Sequence, residues 1–352
     1  MTKGCFLIFL GIVMLIGSAC NQGTSIELRP VTPPTLDSDP LPIIIDIDMA
    51  IDDWLAIVYL LSRPEVEVKA ITVTGAGEAH CPTGTRNALD LLYLAGWPEV
   101  PVACGRETPL VTDHEFPSSW REQVDSLLGI SLPPSPQKPF EGPAVRLLVQ
   151  TIQGSSKPLH ILALGPLTNL AELFEQEPAL VEKVAMITIM GGAVEVPGNV
   201  GISSPVDNQT AEWNIYIDPQ AAQQVFNSGA PITLVLLDAT NDAPVTMEFL
   251  RKLERDRATP LTEFVFKALE KNEERIKTGR YFFWDPLAAA LITDGHLAEY
   301  TQWPLTVIEE VGPHIGRTQI NDQGNPIRVA SSADLAGFEM AFLSALNSNS
   351  VR

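Results

Sequence analysis

Short apolar runs rich in β-branched residues recur at 43–47, 66–74, 159–164, 184–190 and 232–237. Between them lie stretches with apolar residues at helical spacing, such as 85–95 and 166–176. Continuous apolar strands alternating with helices predict a parallel sheet buried on both faces, with right-handed crossovers. Near the C-terminus, 304–310 and 315–320 alternate like a small hairpin, and 333–346 has the pattern of an amphipathic helix. Segment 106–140 breaks this rhythm with six prolines, no clear period and one tryptophan, Trp120. Loops of that length in compact domains suit lids or binding loops. The pattern predicts a single α/β domain over residues 42–352, an open, mostly parallel sheet with helices on both faces.

Composition narrows the partners. The 352 residues carry 43 acidic against 23 basic side chains, a net charge of −20. A nucleic-acid polymer demands a basic face, so this balance argues against one as a partner, but not against a neutral nucleoside. At the N-terminus, Lys3 precedes an apolar stretch, 5–16, too short to span a bilayer. Gly17-Ser18-Ala19-Cys20 follows, similar to a bacterial lipoprotein signal, although Gly17 stands where an aliphatic residue is usual. The expectation is a signal peptide over 1–19, lipidation of Cys20 at the cell envelope, and a flexible tether over 20–41. Plain secretion and a retained anchor are the other readings. Cys81 and Cys104 are either a disulfide or two buried thiols. The five histidines have no zinc-like spacing.

The densest chemistry lies in residues 43–53. A strand-like run stops at Asp46, and Asp46, Asp48, Asp52 and Asp53 then fall within eight residues before a helix-like stretch. In open α/β sheets, ligands bind outside the carboxyl ends of strands. Like charges gathered there repel one another unless a cation neutralises them, and oxygen ligands suit Ca²⁺ or Mg²⁺. A solvated acidic helix N-terminus accounts for one or two of these aspartates but not for four.

Further groups stand where other strands end: Leu164-Gly165-Pro166-Leu167-Thr168-Asn169, then Met190-Gly191-Gly192. Gly198-Asn199 follows, and then Glu212-Trp213-Asn214, expected to lead into a strand before the helix opened by Asp218-Pro219. Last comes Trp284-Asp285-Pro286. Each alone reads as a turn or a helix cap. Taken in order, they resemble the inosine-uridine-preferring nucleoside hydrolase family from about residue 42 onward. Its signature Asp-x-Asp-Pro-Gly-x-Asp-Asp is matched by 46–53, with Met49-Ala50 in place of Pro-Gly.

The resemblance implies a Rossmann-like fold and Ca²⁺-dependent cleavage of the N-glycosidic bond of ribonucleosides. Asp48, Asp53 and Asp285, with the Leu164 carbonyl, are expected to bind Ca²⁺, which also holds the ribose 2′- and 3′-hydroxyls and the attacking water. Asp48 is the expected general base. Asp52, Asn199, Glu212 and Asn214 are expected to hold the sugar, and Asp46 to orient the loop from behind. The expected transition state is oxocarbenium-like, stabilised by surrounding carboxylates. Many members place His before the last calcium-binding Asp, whereas this chain has Trp284. Trp284, Trp213 and Trp120 therefore look more like the purine-specific branch, in which indoles grip the base and ease its departure. The family usually has Asn near Ala76; Glu78 or His80 are the candidates to compensate. A homo-oligomer, dimer or tetramer, is also implied.

Two other readings compete. Asp46-Ile47-Asp48 resembles the opening of haloacid-dehalogenase-type phosphatases, but Ala50 stands where Thr or Val is needed. A non-catalytic nucleoside-binding lipoprotein would not need a general base such as Asp48.

Overall fold

The computed structural model describes Met1 and residues 26–347; beyond Met1, the expected signal segment and Cys20 lie outside the described residues. Among the described residues, nine strands form one sheet. They are β1 Leu41–Ile47, β2 Val66–Val73, β3 Val102–Cys104, β4 Leu159–Ala163, β5 Val184–Met190, β6 Ile232–Val235, β7 Ala298–Val307, β8 Thr318–Ile320 and β9 Asn325–Ala333. The order is β3-β2-β1-β4-β5-β6-β9-β7-β8, parallel except for the pairings of β7 with β8 and β9.

The alternation of side chains along β1 fixes the layers. Ile43, Ile45 and Ile47 join one buried cluster with Trp54 and Leu55 of α1 (Ile51–Leu61), Leu89 of α2 (Cys81–Leu94), and Phe338 and Phe342 of the last helix, Leu335–Asn347. Ile44 points into the opposite cluster, with Leu148 of α4 (Ala144–Gly154) and Leu170 of α5 (Thr168–Gln176). Both faces are thus covered, as the unbroken apolar runs require. From β1 the chain steps outward to β2 and β3, whereas β4, β5 and β6 extend the other way. The reversal point lies between β1 and β4, and open α/β sheets bind ligands outside the carboxyl ends of the strands at such a point.

Four expectations need correction. The period-less segment 106–140 contains a helix, α3 Ser118–Asp125, whose one fully buried residue, Val124, gives no readable apolar stripe. The residues after Glu212 form a short helix, Trp213–Ile217, rather than a strand, because Glu212 caps their backbone N–H groups. The C-terminal hairpin is real but shorter on its second arm, and β9 inserts between β6 and β7. β9 carries no apolar run, because it opens Asn-Pro and alternates polar with apolar. Finally, residues 26–40 are laid along the domain, not free as a tether. Val31 N–H donates to Leu94 O at 2.9 Å, Asp37 N–H donates to Pro64 O at 2.8 Å, and Leu28 and Val31 pack on the core.

Cys81 and Cys104 are joined in a disulfide linking the start of α2 to the end of β3. It closes a loop across a sequence separation of 23. Chain entropy gives such a link about 3 kcal/mol. Reduction, or the Cys81→Ala/Cys104→Ala pair, is expected to lower unfolding free energy by that order in denaturant titrations. Superposable curves with and without reductant would contradict it.

Candidate active site

The turn after β1 puts Asp46 and Asp48 to different uses. Asp46 is fully buried and accepts from Thr72 Oγ1 at 2.5 Å and Asn169 Nδ2 at 2.7 Å. Desolvation nevertheless raises its pKa to about 7. Asn169 of α5 and Thr72 of β2 are its holders. Asp48 Oδ2 accepts from Glu78 N–H at 3.0 Å, and Oδ1 from Ala50 N–H at 3.2 Å. Gly77 and Gly165 leave room for it: a Cβ on either would fall 2.0 Å or 2.7 Å from Asp48 Cβ. Met49 takes φ 62°. A proline ring fixes φ near −65°, so this turn is built differently from the Asp-Pro-Gly turn of the signature. The left-handed backbone costs about 1–2 kcal/mol. Burial of the Met49 side chain and the Trp54 indole N–H donated to Met49 O, 2.9 Å, offset it.

Three more carboxylates close on the same place. Asp53, fully buried on α1, has no hydrogen-bond donor on either oxygen among the described residues. Burial and the charges of Asp285 and Asp48 push its pKa well up. Asp285 sits in the first turn of the helix Trp284–Thr293, which Phe283 caps, so Asp285 is not the cap residue. Its pKa is also raised, by burial and then by Asp52 and Asp48. Asp52 is pushed to about 6 by burial and the Asp48 charge. A buried carboxylate whose only hydrogen-bond partner is another carboxyl, Asp48, among like charges belongs to a donor set that fits a hard cation. Among the described residues, however, no three such groups stand drawn together as a closed ligand set. The Leu164 carbonyl, at the end of β4, accepts from Asn214 Nδ2 at 3.0 Å, leaving one lone pair for an ion.

On the next side of the crevice, Glu212 accepts three backbone N–H groups, from Gly192, Asn214 and Ile215, at 3.0–3.3 Å. Burial still raises its pKa to about 7. Much of its capacity thus goes to capping the helix Trp213–Ile217, and a sugar hydroxyl must share what remains. Asn214 spends its amide donors on Leu164 O and Met190 O. Asn199 Oδ1 accepts from Trp213 N–H at 3.1 Å, and its NH₂ has no hydrogen-bond partner among the described residues. Trp213 is buried against Phe116, Trp120 and Tyr216, with its indole N–H on Ser203 Oγ. It therefore holds Trp120 in place.

The aromatic side contains groups the sequence did not single out. Trp284, half-buried, meets Tyr281 edge-on at 5.4 Å. The Arg275 guanidinium lies 5.2 Å from the Tyr281 ring centroid and 5.8 Å from that of Trp120. Glu78 is a further carboxylate here, its pKa raised well up by burial and by Asp48 and Asp52. His80 instead points to the exposed Asp125 contact, 2.6 Å. Arg121 of α3 reaches Gly75 O at 3.4 Å, and its charge acts on Asp48. Neither Arg275 nor Tyr281 stands in a motif, so no spacing could reveal them.

Residues 43–340 match the profile of the inosine-uridine preferring nucleoside hydrolase family. The chain belongs to that family. As a family member it is a ribonucleoside hydrolase, an N-glycosidase, and the phosphatase reading falls away. It is 38% identical over 230 residues to the pyrimidine-specific ribonucleoside hydrolase RihA of Salmonella paratyphi C, covering 65% of this chain and 70% of the relative. The plant nucleoside hydrolase PpNRh1 superposes with a TM-score of 0.78 at 31% identity, over 87% of this chain and 99% of that one. The purine-preferring ribonucleoside hydrolase of Gardnerella vaginalis gives 0.74 at 30%, over 88% and 99%.

The raised pKa values of Asp46 and Asp52 remove stability from the metal-free hydrolase as pH rises. A carboxyl raised in the folded state contributes stability below its unfolded value, 3.8 for Asp, and loses it as pH rises through the folded value. The melting temperature of the metal-free protein is expected to fall between about pH 4 and pH 7, the window set by Asp52 and Asp46. Asp53→Asn should flatten that slope. A melting temperature that climbs throughout this window would contradict the burial of these groups.

Proposed function

We propose that this ribonucleoside hydrolase depends on Ca²⁺ and favours purine nucleosides, with Asp48 as general base. The observation that carries the reading is the donor-less, buried Asp53 beside Asp48 and Asp285 at the β1/β4 crevice. Asp48, Asp53, Asp285 and Leu164 O would hold the ion. Bound calcium would supply charge neutralisation and lower the pKa of water.

The chain's own residues account for the rest. The backbone N–H groups of Ala50 and Glu78 fix the direction of the Asp48 carboxylate, so that it can take a proton from water. Asp52 and the unpaired NH₂ of Asn199 face the ribose hydroxyls, with Glu212 and Asn214 shaping that wall. A site whose polar groups pair with those hydroxyls rejects a deoxyribose, because the missing hydroxyl leaves them unpaired. The surrounding carboxylates stabilise positive charge developing on the sugar. Trp284, next to Asp285, and Trp120 flank the base and supply stacking surface suited to a purine. RihA is named pyrimidine-specific and the Gardnerella vaginalis protein purine-preferring, so the indoles, not kinship, support the purine assignment. The same proposal has the protein exported, lipid-anchored at Cys20 and homo-oligomeric, releasing bases for purine salvage.

With Ca²⁺ and inosine, guanosine, adenosine, uridine or cytidine, free base is expected fastest from the purine nucleosides, and a chelator should stop release. Asp48→Asn should lower kcat by about 10²–10⁴ with the thermal melt intact. Nucleoside binding without any base released would instead favour a binding lipoprotein.

A further inference from the structure

Resting on the proposed calcium site, we propose that the Cys81–Cys104 disulfide is a positioning link for that site, and that the hydrolase is fully active only with the link oxidised. Cys81 directly follows the segment that aims Asp48. In that segment Glu78 N–H donates to Asp48 Oδ2 at 3.0 Å, and Ala79 N–H donates to Asp48 O at 2.9 Å. Cys104 ends β3 and precedes Gly105, which lies against Asn169. Asn169 in turn donates to Asp46 Oδ1 at 2.7 Å. One covalent link therefore joins the holder of Asp48 to the holder of Asp46.

The packing around the link leaves little slack. Cys81 is fully buried. A Cβ on Gly77 would fall 2.0 Å from Asp48 Cβ, one on Gly105 2.0 Å from Asn169 Oδ1, and one on Gly84 3.1 Å from Ala79 Cβ. Once reduced, the two cysteines no longer hold each other. Any drift of residues 78–81 or 104–105 then passes to the two carboxylates, because a close-packed interior transmits displacement. Asp125, ending α3, holds the same segment from the solvent side. It accepts His80 N–H at 2.9 Å, and its Oδ2 lies 2.6 Å from His80 Nδ1. The segment thus stays on the domain when the link opens, and what it loses is aim. The link is within reach of a reductant, since Cys104 is only partly buried. Dithiothreitol gives the disulfide two electrons and two protons, leaving two thiols and its own cyclic disulfide.

The test compares the full chain, oxidised and after dithiothreitol, well below its melting temperature. Hydrogen exchange of the Glu78 and Ala79 amides in calcium-free buffer reads the hold on Asp48 without any turnover. Calorimetric titration of Ca²⁺, and kcat at saturating Ca²⁺, read its consequence. Groups that orient metal ligands from behind are typically worth 10–100-fold in affinity or activity. Reduction is therefore expected to weaken Ca²⁺ binding and to lower kcat by about 10–100-fold, to speed exchange at those two amides, and to be reversed by oxidised glutathione. The Cys81→Ala/Cys104→Ala pair should behave as the reduced chain does and ignore dithiothreitol. If that pair does not fold, reduction and reoxidation of the unsubstituted chain decide the matter. Equal Ca²⁺ affinity, kcat and amide exchange in the oxidised and reduced folded chain overturn the inference alone, as does a dithiothreitol response that persists in the double variant. An oxidised chain that takes up no Ca²⁺ overturns the reading of the site, and the inference with it.

Discussion

Four aspartates at the carboxyl end of one strand, three of them buried, cannot all be charged without help, and much of the architecture answers that constraint. The strand order reverses between β1 and β4, the position at which open α/β sheets bind ligands. Asp46 is tied back by Thr72 and Asn169, which takes it out of direct competition. Asp48 is aimed by two backbone N–H groups, and Asp53 is left with none. One helix, α1, delivers Asp52 and Asp53, and a second, far along the chain, delivers Asp285. Desolvation alone would drive these groups to their neutral forms, and a bound cation reverses that preference.

The sugar-facing and base-facing walls are held by different means. Capping builds the first: Glu212 gathers three backbone N–H groups and fixes Asn214, whose amide then touches the carbonyls ending β4 and β5. Asp218 does similar work one turn on, accepting from Ala221 N–H at the start of the next helix and from Leu110 N–H in the long loop. Aromatic packing builds the second, with Trp213 supporting Trp120 and Tyr281 supporting Trp284. The polar wall is rigid because its donors are satisfied. The aromatic wall keeps two polar groups, Arg275 and the Tyr281 hydroxyl, without such partners among the described residues.

Periodicity made the parallel half of the sheet legible, because strands buried on both faces are continuous apolar runs and β1, β2, β4, β5 and β6 all fall on them. It failed where burial is one-sided or short: β9 alternates, α3 buries a single residue fully, and Trp213–Ile217 carries strand-forming residues overruled by a cap. The acidic cluster was readable because its members are neighbours in sequence. The disulfide required the fold to bring Cys81 and Cys104 together. Arg275, Tyr281 and Arg121 were invisible, since nothing in local sequence says that a helix end or loop will face a crevice built elsewhere.

We propose that the buried carboxylates are a cation site and not merely an acidic helix start. The most direct measurement is a calorimetric titration of Ca²⁺ into the metal-stripped chain near neutral pH, in buffers of differing ionisation enthalpy. Uptake of about one ion per chain with net proton release is expected, because carboxyls held partly protonated must ionise to bind. Asp53→Asn should abolish that uptake. No uptake, or uptake unaltered by Asp53→Asn, would contradict it.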